Sequence, residues 1–321
     1  MAGIGSRGRW LALGVVVVGW LLVVASGEAA KTPGVAWSSS SYDYGTLDAA
    51  QGDTASQTFT LRNSDGKPTG TISVGLSGSA FTITGNTCDG KRLSKKTTCM
   101  VTVEYAPTAN GDDSGTLTAS APNTTGANVD LTGASAWQTD DLSSYTQSEW
   151  GGDSPFTTAQ TLLESDFTTV YESTFGTLNI GGGFDMNFGS ASAIETYLPQ
   201  TGPAGPLDAS LSDPTTSASG VFGGDVLTLQ LNADFSQAGL VTANSGRKLD
   251  GLTICNSGVS ALDGQNVGQL LAAVNTLLGG GTSTDGSIAT LDPIVNDINN
   301  GFTDGTPSTW AQDHLQPGAC P

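Results

Sequence analysis

The sequence predicts an all-β sandwich over residues 31–136 and a mixed α/β (α+β) domain with several short helices over 137–321, behind an export signal over 1–30. Three observations predict this. Short runs of alternating apolar and polar residues fill the first part, and apolar residues at helical spacing appear only in the second. Gly supplies 44 of 321 residues and charged residues only 13%, a composition of short elements joined by many turns.

The signal comes first along the chain. Arg7 and Arg9 precede an apolar run from Trp10 to Ala25, and small residues follow at Ala25-Ser26-Gly27 and Ala29-Ala30. This is a positive n-region, an h-region and a cleavage region. The run is shorter than the ~20 apolar residues that cross a bilayer, so cleavage is the expectation and an uncleaved anchor the alternative. The mature protein is then expected outside the cytosol, as an extracellular, cell-surface or periplasmic protein with no membrane contact after cleavage.

In residues 31–136 the alternating pairs are Phe59 and Leu61, then Ile72, Val74 and Leu76, Phe81 and Ile83, Val101, Val103 and Tyr105, and finally Val129 and Leu131. Each run reads as a half-buried strand. Turn clusters such as Asn63-Ser64-Asp65-Gly66 and Asn110-Gly111-Asp112-Asp113 separate them, which suggests an antiparallel sandwich without helices.

Several segments in this order resemble a known family: Tyr44-Gly45, Leu61-Arg62-Asn63, Phe81-Thr82-Ile83, Cys88 through Cys99, Val101 to Pro107, Ser114 to Leu117 and Leu131-Thr132-Gly133. Together they resemble the abnormal-spindle and hydin type of immunoglobulin-like domain, called choice-of-anchor D in bacteria. The resemblance covers about a hundred residues and implies an immunoglobulin-like scaffold or spacer, not an enzyme.

Four cysteines in an exported chain point to disulfides, since the compartment is oxidising and no Cys-x-x-Cys pair occurs. Three pairings are open. One bridge per domain is the simplest, Cys88 with Cys99 and Cys255 with Cys320. The segment between the first two carries Lys91, Arg92, Lys95 and Lys96. This basic tip is either a solvated turn or an electrostatic contact with the acidic second domain or an anionic surface polymer. Gly85 to Lys91 spells Gly-x4-Gly-Lys, but Arg92 stands where a phosphate loop needs Ser or Thr.

Residues 31–136 hold nine acids and seven bases, whereas 137–321 hold twenty acids against Arg247 and Lys248 alone. Such a field repels nucleic acid and anionic lipid, and neither is an expected partner. In the second domain, helices are expected from Ser154-Pro155 with Phe156, Ala159, Leu163, Phe167 and Val170 on one face, from a Ser190 cap to Pro199, and from an Asn266 cap to Gly279. A fourth is expected to start near Asp292-Pro293. Val226 to Phe235 alternates like a strand, yet Phe222, Val226, Leu229 and Ala233 also share a helical stripe. Tyr145-Thr146-Gln147, Leu229 to Asn232, an Ala-containing helix, Asn299-Asn300-Gly301 and Cys320 resemble an uncharacterised bacterial exported domain opening with Thr-Gln-Gly-Tyr-Trp, which favours the helix.

Leu198-Pro199-Gln200-Thr201-Gly202 has the letters of a sortase signal, but more than a hundred polar-rich residues follow it. It reads as a Pro-stopped helix and turn. The single His314 has no Gly-x-Ser-x-Gly elbow to serve. Paired carboxylates remain open, from Glu149, Glu164, Glu172, Glu195 and many Asp. Asp292, Asp297 and Asp304 are the calcium candidates, although none follows the spaced Asp-x-Asp-x-Asp-Gly loop, and no other cofactor is expected. The function read here is a non-enzymatic secreted or cell-surface structural or adhesive protein. Its expected partners are other surface or matrix proteins, itself, or surface glycans. The alternative is a secreted carbohydrate-binding or carbohydrate-cleaving protein using paired carboxylates, with Trp137 or Trp150 exposed in the cleft.

Overall fold

A computed structural model describes residues 34–152, 157–171, 177–241 and 244–320 of the chain. The export signal and the Ser154-Pro155 helix start lie outside these residues, as does Glu172.

Eight strands build the first part: β1 (Val35–Trp37), β2 (Ser41–Leu47), β3 (Ala55–Asn63), β4 (Ser73–Leu76), β5 (Phe81–Asn86), β6 (Thr98–Tyr105), β7 (Gly111–Ser120) and β8 (Ala127–Ser135). They form two four-stranded sheets, ordered β1-β3-β6-β5 and β2-β8-β7-β4. The first pairs antiparallel throughout, and in the second only β2 runs parallel, to β8. Phe59, Leu61, Val101, Val103 and Tyr105 of one sheet meet Leu117, Val129 and Leu131 of the other in a single buried cluster. The sheets are tied by Tyr44, whose hydroxyl donates to the Val103 carbonyl at 3.0 Å. Gly133 is required by this packing, since a Cβ there would stand 2.6 Å from the Tyr105 ring.

The second part contains α1 (Gln147–Trp150), α2 (Thr158–Tyr171), β9 (Leu178–Ile180), β10 (Met186–Phe188), α3 (Ala191–Tyr197), β11 (Leu211–Ser212), α4 (Val221–Gln237), β12 (Thr253–Ile254), α5 (Val267–Leu278), α6 (Ile288–Asn299), α7 (Thr309–His314) and β13 (Leu315–Gln316). The chain is thus mostly β in its first part, with several helices in its second. Val226 to Phe235 is helical and lies inside α4, of whose seventeen residues thirteen are buried. A helix buried on every face needs apolar residues all round, so no single stripe could separate it from a strand by periodicity. Gly224 lets the chain approach, because a Cβ there would meet the Gln147 side chain at 2.1 Å.

Ser190 and Asn266 cap α3 and α5 by accepting the Ala193 and Gln269 N–H groups, as the sequence suggests. α6 differs. It starts at a Ser287 cap, one turn before Asp292, and takes Pro293 into its interior. The Ser287–Thr290 capping box satisfies the first turn and outweighs proline as a start signal.

The two cores are distinct, and the chain from 136 to 141 crosses between them. Trp137 packs edge-on to Phe302 in the second core and donates its indole N–H to the Leu315 carbonyl at 2.9 Å. Across the junction Asn110 N–H donates to Gln316 Oε1 at 2.6 Å and Arg247 Nε to the Ala50 carbonyl at 3.2 Å.

Candidate functional site

A cleft of about 790 Å³ lies beside the C-terminal half of α4. The last turn of α2 forms one wall with Val170 and Tyr171, and the short β9–β10 pair forms another with Leu178, Asn179 and Asn187. Gln230, Asp234 and Gln237 reach it from α4 at helical spacing, so one helix face supplies three polar groups. Among the described lining residues Asp234 is the one carboxylate, and none is a lysine, arginine or histidine. Its carboxylate accepts from the Tyr171 hydroxyl at 3.0 Å and from Gln230 Nε2 at 2.9 Å. Burial pushes this acid up to about 6, against the two hydrogen bonds that favour its ionised form.

Two other acid pairs are enclosed by protein. Asp225 on α4 is 5% exposed, accepts from Gln147 Nε2 at 2.7 Å, and has the Asp292 carboxyl of α6 beside it. Burial and the neighbouring Asp292 push Asp225 up to about 7, and burial also raises Asp292. Such a contact requires a shared proton, because two ionised carboxylates would repel. Asp48 and Asp141 form the second pair at the junction of the two parts, where burial and Asp48 raise Asp141 to about 6. Neither pair faces the large cleft.

Of the glutamates read as candidates, Glu149 closes the α1 capping box with Thr146. Glu195 has its carboxyl raised, first by burial and then by the charge of Glu164. Trp137 and Trp150 are 2% and 0% exposed, so both belong to the core and neither lines a cleft, contrary to the role the alternative reading gave them. His314 Nδ1 is bound at 3.0 Å to the Cys255 carbonyl.

The calcium candidates do not converge. Asp292 lies beside Asp225, Asp297 near His314, and Asp304 near Tyr145. Among the described residues no group of three or more His, Cys, Asp or Glu side chains could hold a metal ion. Both expected disulfides form, Cys88–Cys99 with Cα atoms 5.1 Å apart and Cys255–Cys320 with 5.7 Å.

Lys91, Arg92, Lys95 and Lys96 are all exposed on the β5–β6 connection. Asn63 pins its base, donating through Nδ2 to the Leu93 and Ser94 carbonyls at 3.1 and 3.2 Å. The connection leaves the sandwich at the end opposite the 49–51 and 108–110 turns that meet the second part. The eight-residue β6 separates the two ends by roughly 20 Å. Leu198 to Gly202 follows α3 as a Pro-stopped turn, in which Gln200 N–H donates to Gln147 Oε1 at 2.8 Å. Among the described residues no helix is long and apolar enough to cross a membrane.

The sequence pointed to carboxylates in general and missed this cleft. Its carboxamides are spread over 179 to 237, and the β9–β10 pair that presents two of them is too short to leave a periodic trace. The Gln230, Asp234 and Gln237 spacing on one helix face was the available signal.

No protein-family model matches the chain, and no curated protein matches it. Solved structures similar to parts of it include the secreted serine protease VesC from Vibrio cholerae, at 17% identity over 32% of this chain and 23% of that one with a TM-score of 0.27. An ASH/PapD-like domain of human CEP192 shows 15% identity over 38% of this chain and 97% of that domain, TM-score 0.28. A Porphyromonas gingivalis protein of unknown function shows 17% identity over 35% of this chain and 51% of its own, TM-score 0.26.

Proposed function

We propose that the protein is a non-enzymatic exported structural or adhesive component, in which an immunoglobulin-like sandwich of the choice-of-anchor D type carries an acidic helical domain. The observation that carries this reading is the use made of the acids. A glycosidase needs two carboxyl groups facing one another across an open site, ~5 to 9.5 Å apart. Here Asp225 is turned inward to Gln147, with Asp292 beside it inside the protein, and the cleft has one carboxylate among its described residues, already held by Tyr171 and Gln230. The two disulfides suit an oxidising, extracytoplasmic setting. The cleft's neutral polar lining favours the binding half of the carbohydrate reading over the cleaving half, with a surface glycan as partner.

The test is retention of the fluorescently labelled chain on intact cells and on their extracellular matrix fraction. Saturable retention, removed by stripping surface polymers or proteins, supports the reading. A chain that washes off every surface fraction contradicts it.

A further inference from the structure

We propose that the α2–α4–β9 cleft binds a neutral glycan segment through its side-chain amides. This deepens the reading of the protein as an exported adhesive component and rests on it. Four carboxamides line the cleft, Asn179, Asn187, Gln230 and Gln237, and their free valences decide what fits. Asn187 makes no side-chain hydrogen bond among the described residues, so its N–H groups and its oxygen are both open to a ligand. Gln237 spends Nε2 on Asp250 and Asn179 spends Nδ2 on Asp185, which leaves each with an acceptor oxygen. Gln230 donates to Asp234 and takes only a long 3.4 Å contact from Asn275.

A ligand must therefore bring several donors to meet these oxygens and at least one acceptor for the Asn187 N–H groups. Hydroxyl groups do both. Val170, Leu178 and Ala238 add apolar surface that suits the C–H face of a sugar ring. Charge narrows the class further. With Asp234 in the wall, Asp250 behind Gln237 and no cation among the described lining residues, phosphate, sulfate or uronate groups are disfavoured. The volume of about 790 Å³ lies within the range of sites that enclose a small organic ligand.

The test is affinity electrophoresis of the full mature chain through gels containing dextran, xylan, mixed-linkage β-glucan or galactomannan, with polygalacturonate as the anionic arm. Asn187→Ala and Gln237→Ala are run beside Lys95→Ser. Gln237 is exposed at the end of α4, so it remains an independent reading if the Asn187 variant misfolds. Retardation by at least one neutral polymer, weakened about tenfold by the cleft variants and unchanged by Lys95→Ser, is the expected result. Failure of every neutral polymer to retard the chain, a preference for polygalacturonate, or retardation that survives both cleft substitutions overturns the proposal. Retention on cells that survives both cleft variants would leave the adhesive reading standing on another face. New reducing ends released alongside cleft-dependent retardation would uphold the cleft and end the non-enzymatic reading.

Discussion

Asn232 on the central helix accepts the Trp150 indole N–H at 3.0 Å. The same Oδ1 takes the Tyr145 backbone N–H at 2.8 Å, while Nδ2 donates to the Tyr145 carbonyl at 2.8 Å and to Asn299 Oδ1 at 3.1 Å. One fully buried amide thus fastens the start of the helical part to α4 and α6. Asn232→Ala leaves several buried polar groups without partners, each costing about 1–3 kcal/mol. The expected loss is at least about 3 kcal/mol in urea unfolding. A loss below about 1 kcal/mol would show that other contacts hold this segment.

Acidification is expected to stabilise the fold. Asp225 is raised to about 7, and Asp141 and Asp234 to about 6, all from an ordinary 3.8. Between roughly pH 4 and 7 the folded state therefore binds more protons than the unfolded chain. Stability from these groups is fully present below the unfolded value and is lost as pH rises through the folded ones. The melting temperature should rise by at least about 3 °C from pH 8 to pH 5. Asp225→Asn, which donates to Asp292 without a shared proton, should melt higher than the parent at pH 8 and show a shallower slope. A melting temperature that falls on acidification to pH 5, or an unchanged slope in the variant, contradicts this.

The two disulfides should contribute unequally. Cys255–Cys320 spans 65 residues and Cys88–Cys99 spans 11, worth about 4 and about 3 kcal/mol in the chain-entropy model. The first also clamps the segment whose Leu315 and Gln316 receive Trp137 and Asn110. Paired Cys→Ser variants should lose more stability at 255/320 than at 88/99 in urea unfolding. The reverse order would place the clamp elsewhere.

The basic tip faces away from the acidic part of its own chain. Any contact between Lys91, Arg92, Lys95 and Lys96 and that acidic surface is expected to join neighbouring molecules head to tail. Exposed pairs contribute only ~0 to 1 kcal/mol each and weaken with salt. Sedimentation should show association at low salt that disappears at high salt and in a variant with all four residues changed to Ser. Monomers under every condition would leave the tip as a solvated turn.

Much of this architecture was legible. Strands such as Val101–Tyr105 show because one face is wet, and the Ser190 and Asn266 caps show because their chemistry is local. Tyr145, Asn232 and Asn299, noticed as separate sequence features, turn out to meet in one buried network. α4, buried on nearly every face, offers no such contrast, and periodicity alone does not separate it from a strand. Pro293 marks a helix start in sequence more strongly than the Ser287–Thr290 box, yet α6 begins at that box. The carboxyl pairs and the amide-lined cleft were illegible, since each depends on residues brought together from distant parts of the chain.

A protein that holds a surface partner without transforming it should bind glycan and leave its chain length unchanged. The most direct measurement is the count of new reducing ends in solutions of the mature chain with the neutral polysaccharides that retard it. Retention with reducing ends at the level of protein-free controls is the expected result. Time-dependent release of reducing ends, lost in Asp234→Asn or Asp225→Asn variants that still fold, would contradict it.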